Sequence, residues 1–168
     1  MPRSLDKTNP SKNQKRVMSE NPYSVGLDKN PANYQPLTPI GLLERAASVY
    51  PEHTAIIHGT RRIGYREFYT RARQLASALA ARGIGPGDTV SVMLSNTPAM
   101  LEAHYAVPMI GAVLHCMNTR LDPPILAFQL DHAGSKLLLS DREFSPLMKE
   151  ALALAKVTPL VIDYHDAE

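Results

Sequence analysis

The residues that could do chemistry are scattered along this chain. It has six histidines and one cysteine in 168 residues. His53, His58, His104, His115, His132 and His165 form no HExxH or comparable ligand spacing, so no metal site is expected. Glu102 and His104 stand two apart on a helical segment and do not share a face. Cys116 follows His115, but neighbouring strand residues point to opposite sides, so these two cannot act as a nucleophile and its base. Cys116 reads as a small buried hydrophobe. A single cysteine excludes an intramolecular disulfide and any CxxC motif, and a reducing, cytoplasmic compartment fits it. There is no GxSxG elbow and no GxxxxGK[ST] loop. Gly83-Ile84-Gly85-Pro86-Gly87 follows a helix and precedes a strand, the reverse of a dinucleotide-binding loop, and reads as a helix cap plus a turn. Asp163 and Asp166 are the one close carboxylate pair and sit at the end of the chain as solvated groups. No catalytic residue and no metal ligand is expected.

Chemistry must therefore come from position, and position from the elements. Thr38 followed by Pro39 suits a helix start, and Ile40, Leu43, Ala46 and Ala47 recur at helical spacing over 39–50. Residues 54–58 and 62–65 flank Gly59-Thr60, a two-residue hairpin turn with glycine first. Phe68, Ala72, Leu75, Ala76 and Leu79 make one stripe of a helix over 65–82, with Gly83 at its end. Apolar strands then alternate with helices. Strands are expected at 89–94, 112–117, 136–140 and 160–163. Helices open at Thr97-Pro98, Asp122-Pro123 and Ser145-Pro146, where the polar residue caps free N–H groups and the proline has none to lose. This alternation means βαβ units, a parallel sheet and right-handed crossovers. The expected fold is α/β: a partial three-layer doubly wound domain with a mostly parallel sheet of four βα-linked strands, plus an N-terminal β-hairpin. In such sheets ligands bind beyond the carboxyl ends of the strands. That places Asn96, Asn118 and Arg120 as ligand-side candidates, although Asn118 could equally close a turn.

Composition sets the remaining bounds. Hydrophobic residues make up 44% and charged residues 20%, close to an ordinary globular domain. Mean hydropathy is −0.19. The most apolar stretch, 99–117, contains Glu102, His104 and Pro108 and is no membrane span. The net charge of +2 is uneven: residues 1–20 carry +3 and the remainder −1. The basic character belongs to the leader, so no nucleic-acid face is expected. Pro10, Pro22, Pro31 and Pro36 make residues 1–37 an extended or disordered leader, mobile over 1–30.

The ordered blocks have a family likeness. The run from Tyr65 to Leu79, then Gly83-Ile-Gly-Pro-Gly-Asp88, Ser95-Asn-Thr-Pro-Ala-Met100, Gly111-Ala-Val and Asn118-Thr-Arg-Leu, resembles the opening of AMP-forming acyl-CoA synthetases. The segment from Asn33-Tyr34 to Pro39, with Leu43-Glu-Arg-Ala and Val49-Tyr-Pro51, is most similar to the branch of methylmercaptopropionate-type and medium-chain acid–CoA ligases and plant acyl-activating enzymes. The likeness covers about residues 21–163. It implies that 38–168 is the first part of a large N-terminal domain. It also implies, for the full-length family, ATP, Mg²⁺ and CoA in the conversion of a carboxylic acid to its acyl-CoA.

Two departures stand out. Gly64 occupies the cap position where the family has Thr or Ser, leaving Glu67 without its capping-box partner. The Pro-Lys-Gly phosphate loop, the Thr-Glu pair for magnesium, the ribose Asp and the C-terminal Lys are not in this sequence. The resemblance therefore implies no cofactor and no activity for these 168 residues alone. Two further readings stay open: a non-catalytic interaction module that kept the ligase scaffold, and an unrelated Rossmann-like nucleotide binder. Self-association, or pairing with a full-length relative, is expected from an incomplete sheet.

Overall fold

A computed structural model describes residues 26, 28–32 and 34–165. The chain divides into two units, Met1–Pro36 and Leu37–Glu168. In the first, the Asn30 side chain closes a turn by accepting from the Ala32 N–H (2.9 Å), and Lys29 lies over the Tyr34 ring. The expected mobility of the leader falls mainly on residues outside those described.

The second unit opens with α1 (Pro39–Val49), where Thr38 caps the helix by accepting from the Gly41 N–H at 3.2 Å. The hairpin follows as β1 (Thr54–His58) and β2 (Arg61–Gly64), with His58 opposite Arg61 and Gly59 at φ +52°. That φ is open to glycine without strain, and it closes the two-residue turn.

Helix α2 (Tyr65–Ala80) has Gly64 at its cap with no side-chain bond. The backbone substitutes: the carbonyls of Pro51 and His53 accept from the Arg66 and Tyr65 N–H groups, each at 3.1 Å. A Cβ on Gly64 would come within 3.0 Å of that same Pro51 oxygen. Glycine thus fits here because main chain occupies the space a capping side chain would need.

Strands β3 (Thr89–Met93), β4 (Val113–Cys116), β5 (Ser135–Asp141) and β6 (Leu160–Tyr164) form one sheet in the order β4-β3-β5-β6, every pairing parallel. Helices α3 (Pro98–Met109), α4 (Pro123–Ala133) and α5 (Ser145–Leu154) connect them. Val90, Val92, Leu137 and Leu139 pack on one face with Leu79 of α2 and Ala99, Ala103 and Val107 of α3. Met93 and Leu138 pack on the other with Leu126 and Leu130 of α4 and Met148 and Ala151 of α5. The central strands β3 and β5 bury residues on both sides, as a parallel sheet with two covered faces requires, whereas the edge strands β4 and β6 have no fully buried residue. Leu43, Ile63, Phe68 and Ala72 join α1, the hairpin and α2 in a smaller core.

Several expected caps differ. Thr97 and Asp122 precede their helices but make no side-chain cap bond. Ser145 is the first residue of α5 rather than its cap. A 3₁₀ turn over Arg142–Phe144 precedes it, and there the Asp141 carboxylate accepts from the Glu143 N–H. Asp141 thus caps the 3₁₀ turn, and α5 itself follows Phe144 with no side-chain cap bond.

Candidate functional site

The carboxyl end of β3 leads through Asn96 and Thr97 into α3, and β1 lies across from it. Between them is an open cavity of about 500 Å³, walled by Pro39, Ile56, Ile57, His58, Asn96, Thr97, Pro98, Met100, Leu101, His104 and Tyr105. Most of this wall is apolar, which suits a hydrocarbon or aromatic group held by a few polar contacts. Thr97 is only 7% exposed, and its hydroxyl has no hydrogen-bond partner. A buried, unsatisfied hydroxyl is costly.

His104 forms part of this wall and is held at both ends. Its Nδ1 lies 2.8 Å from the Met100 carbonyl, which can only accept, so Nδ1 donates there. Nε2 faces the Cys116 sulfur at 3.7 Å. Cys116 is exposed on β4, an edge strand, and is not the buried hydrophobe expected from its apolar neighbours. Partial desolvation pushes its thiol pKa up.

His115 points elsewhere, as alternation requires. Its Nδ1 meets the Ser91 hydroxyl at 2.8 Å, and Ser91 meets Ser135 at 2.5 Å. Burial pushes His115 below its ordinary value. In its Nε2–H tautomer the neutral ring accepts from Ser91 at Nδ1, and Ser91 then accepts from Ser135. Glu102 is buried and pairs with Arg71 of α2 at 2.5 Å, and this hydrogen bond raises the Arg71 pKa. Asp88 is held below the usual carboxylate range by Lys136 at 2.5 Å and the Gly85 N–H at 3.0 Å.

Of the three sequence candidates, Asn96 lies in the cavity wall and the other two do not. The Asn118 side chain accepts from the Arg120 N–H at 2.9 Å, so it closes a local turn. The segment after β5 is tied to the one after β3, because the Ser95 hydroxyl donates to the Glu143 carboxylate. Sequence reading missed His104 and the Thr97 hydroxyl. The one signal for Thr97 was its place at a strand end. His104 had none, because its partner Cys116 belongs to a different element.

The wall of this cavity does not fit ATP and Mg²⁺: it has two histidines and no lysine, arginine or carboxylate, whereas phosphates are held by positioned cations and N–H donors.

Comparison with known proteins agrees with the fold. A family model described as AMP-binding enzyme matches residues 43–168. A peroxisomal acetate/butyrate–CoA ligase of Arabidopsis thaliana is 52% identical over 128 residues, and an acetate–CoA ligase of Humulus lupulus is 49% identical over 128. Both alignments cover 76% of this chain, which spans 22% of each relative's length. Among solved structures, a fatty acyl CoA synthetase of Mycobacterium tuberculosis superposes with a TM-score of 0.69 at 29% identity, over 74% of this chain and 26% of that one. An o-succinylbenzoate CoA synthetase of Bacillus subtilis, in complex with ATP and magnesium ion, gives 0.63 at 30%, over 72% and 32%.

Proposed function

The chain belongs to the AMP-binding enzyme family, and on that premise we propose that it carries the first segment, residues 38–168, of the large N-terminal domain of an AMP-forming carboxylic acid–CoA ligase. The observation that carries this reading is the match over 43–168, in which the motif blocks occur in family order on a parallel α/β sheet. In the whole enzyme, ATP, Mg²⁺ and CoA would be substrates and cofactor of the reaction. The groups that handle phosphates belong to motifs outside these residues, so the 168-residue chain by itself is inactive. A short-chain acid is the substrate class that the relatives' names favour. The single cysteine supports a reducing, cytoplasmic setting. Among the described residues no helix is long and apolar enough to cross a membrane.

Acid-dependent exchange of labelled pyrophosphate into ATP tests this directly. The isolated chain is expected to stay at the blank with acetate, butyrate and longer acids. Exchange above the blank would overturn the inactivity.

The second reading is an interaction module on the ligase scaffold. Helix α4 exposes Ile125 and Phe128, an apolar surface that a cut domain leaves open and that self-association, or capture by a full-length relative, would cover. Size exclusion with light scattering checks it: a clean, dye-silent monomer with sharp cooperative melting would favour the independent module over the ligase segment. The DNA downstream of Glu168 separates the two readings. A Pro-Lys-Gly phosphate loop encoded there favours the ligase segment.

A further inference from the structure

Strands β3 and β5 are neighbours, but the connections that leave their carboxyl ends part. Helix α3 leads from β3 to β4 and packs on one face of the sheet, while α5 leads from β5 to β6 and packs on the other. The sheet therefore has its switch point between β3 and β5, the place where open α/β sheets hold ligands. The two departing segments are joined there, since the Ser95 hydroxyl donates to the Glu143 carboxylate. The cavity of about 500 Å³ begins one residue further on, at Asn96. Its wall combines Ile56, Ile57 and Leu101 with three ring residues, His58, His104 and Tyr105. Among the described residues that line it there is no lysine, arginine, aspartate or glutamate. Ile57 is 65% and Leu101 37% exposed, so two large apolar side chains of the wall stand open to water.

We propose that this cavity is a binding site for an uncharged, flat aromatic compound of one or two fused rings. Its volume lies within the range of small-molecule sites. A charged ligand would leave water for a wall with no counter-charge to offset the cost. A flat ring can meet the wall rings face to face or edge to face, and it covers the isoleucines and Leu101 at the same time. An open-chain hydrocarbon could cover a similar area, but it would lose internal freedom that a rigid ring never had. Asn96 adds an amide that can both donate and accept, which suits one hydroxyl or carbonyl on the ring. Binding here needs no ATP and does not rest on the ligase reading.

Equilibrium dialysis of the whole chain at pH 7 tests this with two probes that share a ring system, 2-naphthol and 2-naphthoate. The naphthol should saturate at one molecule per chain and bind at least about tenfold more tightly than the carboxylate. Leu101→Trp fills the cavity and should weaken naphthol binding at least about tenfold. Ile57→Lys is a second variant, at a position too exposed to disturb folding. It sets a cation in the wall and should shrink the preference for naphthol over naphthoate at least about threefold. Phe128→Ser removes the exposed ring of α4, away from this wall, and should change neither affinity. Equal binding of the two probes, or naphthol uptake that does not saturate, would overturn the proposal. So would an unchanged preference in Ile57→Lys, or loss of binding in Phe128→Ser.

Discussion

Helices α3 and α4 begin alike and end in different surroundings. Each is a crossover between parallel strands, each has proline in its first turn, and each is apolar around most of its circumference. A helix of that kind belongs in an interior. Helix α3 has one: α2 packs along it, α1 and the hairpin lie beyond, and Phe68 meets Tyr105 edge to face at 5.2 Å. Helix α4 is covered by the sheet and α5 alone, leaving Ile125 46% and Phe128 65% exposed. The sheet face beneath α4 and α5 also holds Ser91 among its apolar side chains, and the side-chain amide oxygen (Oε1) of Gln129 on α4 is buried without a partner. One face is closed by added elements, with the Arg71–Glu102 pair and Thr97 as buried polar groups of the helices that cover it. The other is thinner, partly polar, and open on its outer side. The two helices show that an all-round apolar helix identifies a need for cover, and that the rest of the fold decides whether the need is met.

Truncations on the two sides of α4 give the largest contrast. Leu130→Ala, on the buried side, should cost about 2–5 kcal/mol in urea unfolding. Phe128→Ser should change stability by under about 0.5 kcal/mol, yet reduce dye binding and light scattering. Equal losses would mean that α4 is covered on both sides in solution.

The α2–α3 contact is tested next, at its one buried charge. Arg71→Ala strands the Glu102 carboxylate, which is only 6% exposed. The guanidinium itself is partly solvated, so the loss should be about 2–3 kcal/mol, below that of a fully buried pair. Replacing both residues by leucine should recover most of it. No recovery would mean that Arg71 acts through packing of its methylenes.

Acid should act on the polar face selectively. His115 has its folded pKa pushed below the ordinary 6.5 by burial, so the unfolded chain binds the proton more readily. Stability should be fully present above the ordinary value, fall as pH drops through it, and level off below the lowered folded value. Protonation would also force Nδ1 to donate and reverse the Ser91–Ser135 chain. His115→Asn should flatten this part of the pH curve, and an unchanged curve would place the proton uptake elsewhere.

The smallest effect is expected at Gly64. Restoring serine at this cap adds a side-chain acceptor, usually worth only a few tenths of a kcal/mol over glycine. It also sets a Cβ 3.0 Å from the Pro51 oxygen that already accepts the Arg66 N–H. Melting should show no gain. A rise in Tm would mean that the 51–53 segment yields readily.

Much of this architecture was legible in local pattern. The stripe from Phe68 to Leu79, the Gly59-Thr60 turn, Thr38 as a working cap and the four apolar strands all stand where periodicity and turn chemistry put them. Thr97 shows where such reading stops. It has the right type and place for a cap, but its hydroxyl is buried without a partner. Cys116 shows the same limit, since an apolar run from Val113 to Met117 suggests a central strand and the sheet makes it an edge. Asn96, chosen because ligands bind beyond strand ends in this kind of sheet, lies in the cavity wall, and Asn118, chosen by the same rule, accepts from the Arg120 N–H in a local turn.

By itself, then, the sequence determined the kind and order of the elements and that the sheet is parallel, because helical and strand periods are local and βα alternation admits few connections. The order β4-β3-β5-β6 came only from the tertiary structure. That order puts β4 at an edge, exposes Cys116, and brings it within 3.7 Å of His104, twelve positions earlier on α3. The physical reason is that periodicity records which side of an element is buried and carries no record of which neighbour buries it. Neighbours are chosen by the summed packing of every element at once, and a site made between elements exists only after that choice.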